Sequence, residues 1–148
     1  MTTTKTRSWH VNDVADSPIE IVAANGEHVF ILDAEGSYRH VADVKLPGPQ
    51  ARALAGILHD AMEAIGTPGV CEWPVENAED HPIWVRVIDG TIHIVGPGPD
   101  WPHPTPPRIV VGGAPHALAW IQLLREAVQE LEYQAVFTDA EYQSLNSQ

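Results

Sequence analysis

The sequence predicts an α+β fold: tandem duplicated βββα units forming an antiparallel sheet of about six strands, with two helices on one side. Three observations predict it. Residues 9 to 60 read again, without a gap, as residues 73 to 124, with 11 identities in 52 pairs where ordinary composition gives roughly three. Each copy holds an alternating run, a two-residue turn signal and a second alternating run. Each copy also ends in an amphipathic stretch that opens on a proline.

The identities run Trp9/Trp73, Val11/Val75, Asp16/Asp80, Pro18/Pro82, Ile19/Ile83 and Gly26/Gly90, then Gly48/Gly112, Ala53-Leu54-Ala55/Ala117-Leu118-Ala119 and Ile57/Ile121. Short strands around Trp9 to Val11 and Trp73 to Val75 are expected to add to the sheet edges. The hairpins follow. Ile19 to Ala24 leads through Asn25-Gly26 to Glu27–Leu32, and Ile83 to Ile88 leads through Asp89-Gly90 to Thr91–Val95. Asn-Gly and Asp-Gly favour the type I′ turn, which needs positive φ at both central positions. A two-residue loop then sets Ala23 opposite His28, Ile21 opposite Phe30 and Ile19 opposite Leu32 on the core face. In the second copy it sets Val87 opposite Ile92, Val85 opposite Ile94 and Ile83 opposite Gly96. The outer faces, with Val22, Val29 and Ile31 in one copy and Trp84, Ile88 and Val95 in the other, are too apolar for plain solvent exposure. Cover by the other repeat or by a second chain is therefore expected.

A third strand is expected at about 39–46 and at 108–111. A helix follows each. The first opens at Gly48-Pro49, where proline suits the first helical position, and places Leu54, Ile57, Leu58, Ala61 and Ile65 on one stripe until Gly66 and Pro68 stop it. The second opens at Ala114-Pro115 and runs to about Gln134, with Leu118, Ile121, Leu124, Val128 and Leu131 on its stripe and Trp120 and Leu123 widening it. The domain plan is a flexible N-terminus over 1–8, the first repeat over 9–66 and a linker over 67–72. The second repeat over 73–134 packs with the first as one domain, and a polar tail fills 135–148.

Residues 46 to 61, LPGPQARALAGILHDA, resemble the carboxy-terminal helix of small uncharacterised proteins from actinobacteria and their phages. In those proteins a strand ends in Leu, a proline-containing turn follows, and an Ala-Arg-Ala-Leu-Ala run opens the helix. The upstream Trp and hairpin are similar too. The resemblance implies a source and a shape, with no activity, cofactor or catalytic residue attached to it.

Composition narrows the function classes. The chain of 148 residues is 44% hydrophobic and 19% charged, with a formal net charge of −12, values of a globular domain able to bury a core. Twenty acidic against eight basic side chains disfavour direct binding to nucleic acid or anionic membranes, since Lys and Arg supply that attraction. No run of residues is apolar and long enough to span a bilayer, and the amino terminus lacks a signal-peptide pattern. Cys71 is the single cysteine, which rules out an internal disulfide and makes the cytoplasm the expected location. Acidic clusters at Glu72, Glu76, Glu79 and Asp80, and at Glu126, Glu130 and Glu132, are read as solubilising rather than as a nucleic-acid mimic.

Chemistry-bearing patterns are sparse. The eight histidines do not coincide between the copies and show no His-x-x-x-His spacing, so no metal ligands are expected. There is no Gly-x-Ser-x-Gly elbow and no phosphate loop, and the prolines of Gly96–Pro99 lack the N–H donors of a phosphate cradle. Cys71, between the Thr67-Pro68-Gly69 break and Trp73, is not expected to be a catalytic nucleophile. Catalysis and cofactors are not expected. Gly96 to Pro107 instead carries six of the thirteen prolines around Trp101 and His103, an extended segment whose ordering costs little on binding. The expected function is thus a small acidic protein-interaction module of phage or actinobacterial type. Its contact residues are Trp84, His93, Trp101, His103 and Tyr38, its partner is a protein, and it forms a homodimer through the outer sheet face. The alternative is an enzyme or small-ligand binder with a cleft between the repeats.

Overall fold

The computed structural model describes residues 5–12, 18–33, 44–69, 71–75, 83–95 and 108–146. Four strands, β1 (Thr6–Asn12), β2 (Pro18–Ala24), β3 (His28–Asp33) and β4 (Val44–Pro47), lead into helix α1 (Gly48–Glu63). The order then recurs with β5 (Cys71–Val75), β6 (Ile83–Ile88), β7 (Thr91–Val95), β8 (Arg108–Gly112) and α2 (Ala114–Val136), followed by a short α3 (Asp139–Asn146). The expected six-stranded sheet is corrected to two antiparallel sheets of four strands, ordered β1-β2-β3-β4 and β5-β6-β7-β8. The strands around Trp9 and Trp73 complete each sheet, so the unit is four strands and a helix. Thr6, Arg7 and Ser8 belong to β1 rather than to a loose terminus, and Cys71 and Glu72 to β5 rather than to a linker.

The helices do not cover their own sheets. Besides its chain neighbours β3 and β4, α1 lies against β5, β6 and β7, while α2 lies against β1, β2 and β3 as well as β8. The two helices pack on each other, and one continuous apolar core joins both sheets to both helices. The turn ends confirm the exchange. A Cβ at Gly26, in the first hairpin, would stand 3.2 Å from Ala135 of α2, and one at Gly90, in the second, 3.9 Å from Ile65 just beyond α1. The helices therefore do not form a layer on one side of a single sheet, because each inner face is closed by the other half's helix.

The hairpins differ by one residue, with consequences for which side chains face inward. Asn25 and Asp89 have φ of 58° and 51°, followed by Gly26 at 69° and Gly90 at 77°, the positive values that the turn signals demand. In the second hairpin Val87 lies opposite Ile92 and Val85 opposite Ile94, the register expected of a two-residue loop. In the first, Glu27 joins the loop, so Ala24 rather than Ala23 lies opposite His28, and Ile21 lies opposite Ile31. A one-residue slip turns every side chain over. Val29 and Ile31, expected outside, are fully buried, and His28 and Phe30, expected inside, are only partly covered. The outer face of the first sheet thus loses the excess apolar surface that the sequence reading assigned to it.

The gapless repeat is corrected in the same way. Trp9 opposite Ile21 and Trp73 opposite Val85 keep the offset of 64 residues for β1 and β2. Ile31 and Ile94, each opposite one of those residues, stand 63 apart, and the helix starts Gly48 and Ala114 stand 66 apart. A register irregularity beside Ile92 and His93 and the positive φ of Gly112, 113°, accommodate residues added before α2. The Ala-Leu-Ala identity consequently falls on opposite helix faces: Leu54 is 0% exposed and Leu118 is 54% exposed. Trp120, wholly buried, occupies the place that Leu54 has in α1, and Pro49 matches Pro115 at both helix starts.

The two glycine turns give a graded expectation. Alanine at Gly90 meets only the left-handed backbone and should cost about 1 kcal/mol, whereas at Gly26 it must also displace the backbone of α2 and should cost about 2–3 kcal/mol. Urea unfolding of the two variants side by side checks the order.

Candidate functional site

The face of the second sheet turned away from α1 carries the described part of the predicted contact set. Ile83, Val85 and Val87 of β6 are buried in the core, so alternation sends Trp84, Arg86 and Ile88 to the other side. Trp84 lies opposite Pro74 on one flank and Val95 on the other, and the next row runs Glu72, Arg86, His93 and Val110. An apolar row around one indole thus adjoins a polar row in which Arg86 Nε stands 3.6 Å from Glu72 Oε1. Trp84 is half-buried, while Val95 and His93 are 5% and 8% exposed. Of the expected contact residues the structure brings Trp84 and His93 together on this face. Tyr38, Trp101 and His103 lie outside the described residues.

The corresponding face of the first sheet differs in kind. Its rows run Ser8, Val22, Phe30 and Lys45, and His10 beside Glu20. His10 Nε2 stands 3.2 Å from Glu20 Oε2, and Lys45 Nζ lies 5.9 Å from the Phe30 ring centre. This is an ordinary wetted sheet face.

Sequence reasoning missed a buried polar cluster where α2 crosses the first sheet. Gln134 is 0% exposed. Its Nε2 donates to the Ala23 carbonyl and to Glu130 Oε2, both at 3.1 Å, and its Oε1 accepts the Gly26 N–H at 2.9 Å. Glu130, 8% exposed, also accepts the Tyr142 hydroxyl at 2.5 Å and faces Arg7 at 3.6 Å. Lys5 Nζ donates to the carbonyls of Gln134 and Phe137 at 2.7 and 2.8 Å, placing a cation at the C-terminal, negative end of the helix dipole. Burial, with the hydrogen bond to Glu130 next, pushes the Tyr142 hydroxyl above its usual pKa. The cluster is structural, tying β1, the first turn, α2 and α3 together. It also removes Glu130 from the acidic surface cluster of which it was expected to be part. A signal was present: Glu130 and Gln134 are four residues apart in line with the buried stripe of α2. The tail after Gln134 read as merely polar, because among the described side chains of α3 only Tyr142 reaches inward.

Two other places on the surface bring charged or groove-lining groups together. A groove where the halves meet is lined by Gly26, Pro47, Pro49, Leu131 and Ala135, with Arg52 and Glu132 paired at 2.7 Å beside it. Those two charges neutralise each other, and the third charged group on the groove, Glu27, is an exposed carboxylate 3.8 Å from His28 Nδ1. On α1, the exposed His59, Asp60 and Glu63 hold one ligand atom each within 4.8 Å of one another, an arrangement on a single helix surface that leaves the rest of any coordination shell to water. No helix among the described residues is long and apolar enough to cross a membrane.

No family model matches the chain, and neither a curated protein nor a solved structure matches it.

Proposed function

We propose that this chain is a small acidic protein-interaction module of phage or actinobacterial type, built by duplication of a four-strand and helix unit and acting in the cytoplasm by surface contact rather than catalysis. One observation carries the reading. The outer face of the second sheet presents the Trp84 indole between Pro74 and Val95, beside the Glu72–Arg86 pair, and the helices of the chain pack on the opposite face. A half-buried aromatic with an apolar row and an adjoining ion pair is the make-up of an interface anchor. The duplication draws support from the recurring element order and from the two positive-φ turns at Asn25-Gly26 and Asp89-Gly90, with the register changes confined to β3, β4 and the helix. The groove between the halves supports the ligand-binding alternative less well, since Arg52 and Glu132, two of its three charged groups, are already paired with each other.

The test is capture of a protein partner by the immobilised chain, run in parallel with Trp84→Ala. Truncation is expected to abolish capture while the thermal midpoint falls by only a few degrees, because Trp84 lies outside the continuous core. Undiminished capture by the variant would refute the assignment, and a collapse in stability would make Trp84 a packing residue instead.

A further inference from the structure

The four sheet edges are not alike. The Asn25 N–H donates to the Lys5 carbonyl at 2.7 Å, and the ladder continues with Arg7 opposite Ala23, Trp9 opposite Ile21 and Val11 opposite Ile19. In an antiparallel ladder, residues bonded to the neighbouring strand alternate with residues whose N–H and C=O point away. Residues 5, 7, 9 and 11 therefore bond β2, and Thr6, Ser8 and His10 turn their main-chain groups outward. The Tyr142 hydroxyl, which donates to Glu130, lies 3.4 Å from the Thr6 carbonyl and so covers the start of the edge. Ser8 and His10 find no main-chain partner among the described residues beyond β1.

The other edges are managed. β5 runs in the same register, with Cys71 opposite Val87 and Trp73 opposite Val85, so Glu72 and Pro74 take the outward positions, and proline has no N–H to offer. β4 is four residues long and ends in Pro47. β8 carries the register irregularity beside β7 and ends at Gly112. β1, seven residues without proline or bulge, is the edge left open among the described residues.

We propose that this edge pairs antiparallel with the β1 edge of a second copy of the chain, with Trp9 on the twofold axis and Ser8 opposite His10 on both sides. The occupant follows from self-complementarity. In that register the outward groups of Ser8 and His10 exchange hydrogen bonds in both directions, and the two Trp9 residues form the close, non-bonded pair in which side chains approach most nearly. Arg7 lies opposite Val11, so no like charges meet across the axis. The Arg7 guanidinium, already 4.9 Å from its own Trp9 ring, comes diagonally beside the partner's indole. Residues 5–12 include Lys5 and Arg7 and no acidic group, and the neighbouring carboxylates Glu20 and Glu130 face His10 at 3.2 Å and Arg7 at 3.6 Å, so the edge strand itself brings no acidic residue against the same strand of a second chain of net charge −12. With β5 closed by Pro74, one open edge pairing isologously stops at two chains instead of growing a filament. This dimer uses a surface separate from the Trp84 face.

Sedimentation equilibrium of the full chain over a wide concentration range, with Ser8→Pro and Trp84→Ala alongside, tests it. Wild type and Trp84→Ala are expected to dimerise equally, with Ser8→Pro weakened by about tenfold or more. The Ser8 N–H faces away from β2, so proline there should leave the thermal midpoint of the monomer almost unchanged. Amide exchange at Ser8 and His10 should slow as the wild-type concentration rises. A wild type monomeric throughout, a Ser8→Pro chain that dimerises as wild type does, or a dimer dissociated by Trp84→Ala would each overturn the edge pairing. The last of these would move self-association to the Trp84 face without touching the reading of that face as an interaction surface.

Discussion

A chain ended after Gly113, which keeps β1 to β8 and α1, is expected to lose its first sheet. Amides of β2 and β3 should exchange at unfolded rates, while those of β6 and β7, still covered by α1, keep part of their protection. The reason is the helix exchange. α2 closes the inner face of β1, β2 and β3, and it brings Trp120, Ile121, Leu124, Val128 and Leu131 into the core. At about 1.5–3 kcal/mol for each large apolar side chain the loss is on the order of 10 kcal/mol, as large as the whole stability of an ordinary domain, about 5–15 kcal/mol. Had each helix covered its own sheet, the truncated chain would keep an intact first half and expose the second. Hydrogen exchange resolved by segment separates the two cases, and protected β2 and β3 amides in the truncated chain would contradict the exchange.

Replacing Gln134 by alanine should cost about 3 kcal/mol or more, a large loss for a polar residue. Its amide joins the Ala23 carbonyl, the Gly26 N–H and the Glu130 carboxylate. Truncation would leave two buried polar groups and the part-buried Gly26 N–H each short of a partner, with a void beside them. Glu130 would keep Tyr142 and Arg7, so the cluster should loosen rather than collapse. The urea midpoint is expected to drop with an unchanged slope, and the exposed Gln129→Ala on the same helix should stay within about 0.5 kcal/mol of wild type. A Gln134→Ala shift as small as that of Gln129→Ala would mean that water replaces the amide at little cost.

The same two features mark the boundary of what could be read from residues alone. Trp84 was legible as a surface aromatic because alternation on both sides of Asp89-Gly90 assigns its face, and the two-residue loop makes that assignment unique. Phe30 was misassigned by the same rule, since nothing local to Asn25-Gly26 announces that Glu27 joins the turn. The Gln134 cluster was not legible as a unit. Its members come from β1, the first turn, α2 and α3, and only the fold brings Lys5 to within hydrogen-bonding distance of a carbonyl 129 residues away. Leu118 shows the limit of an internal repeat: identical triplets promised one helix face, and two residues accommodated before α2 turned the triplet over.

The amino-acid sequence by itself determined where the chain turns, the hairpin-then-helix order and the helix starts, because φ preference, side-chain alternation and the proline at each helix opening act within a few residues. The tertiary structure alone decided that there are two sheets, that each is closed by the other half's helix, and which buried polar groups meet. Those outcomes depend on which apolar faces find each other across the chain, and both pairings of helix with sheet satisfy the same local pattern.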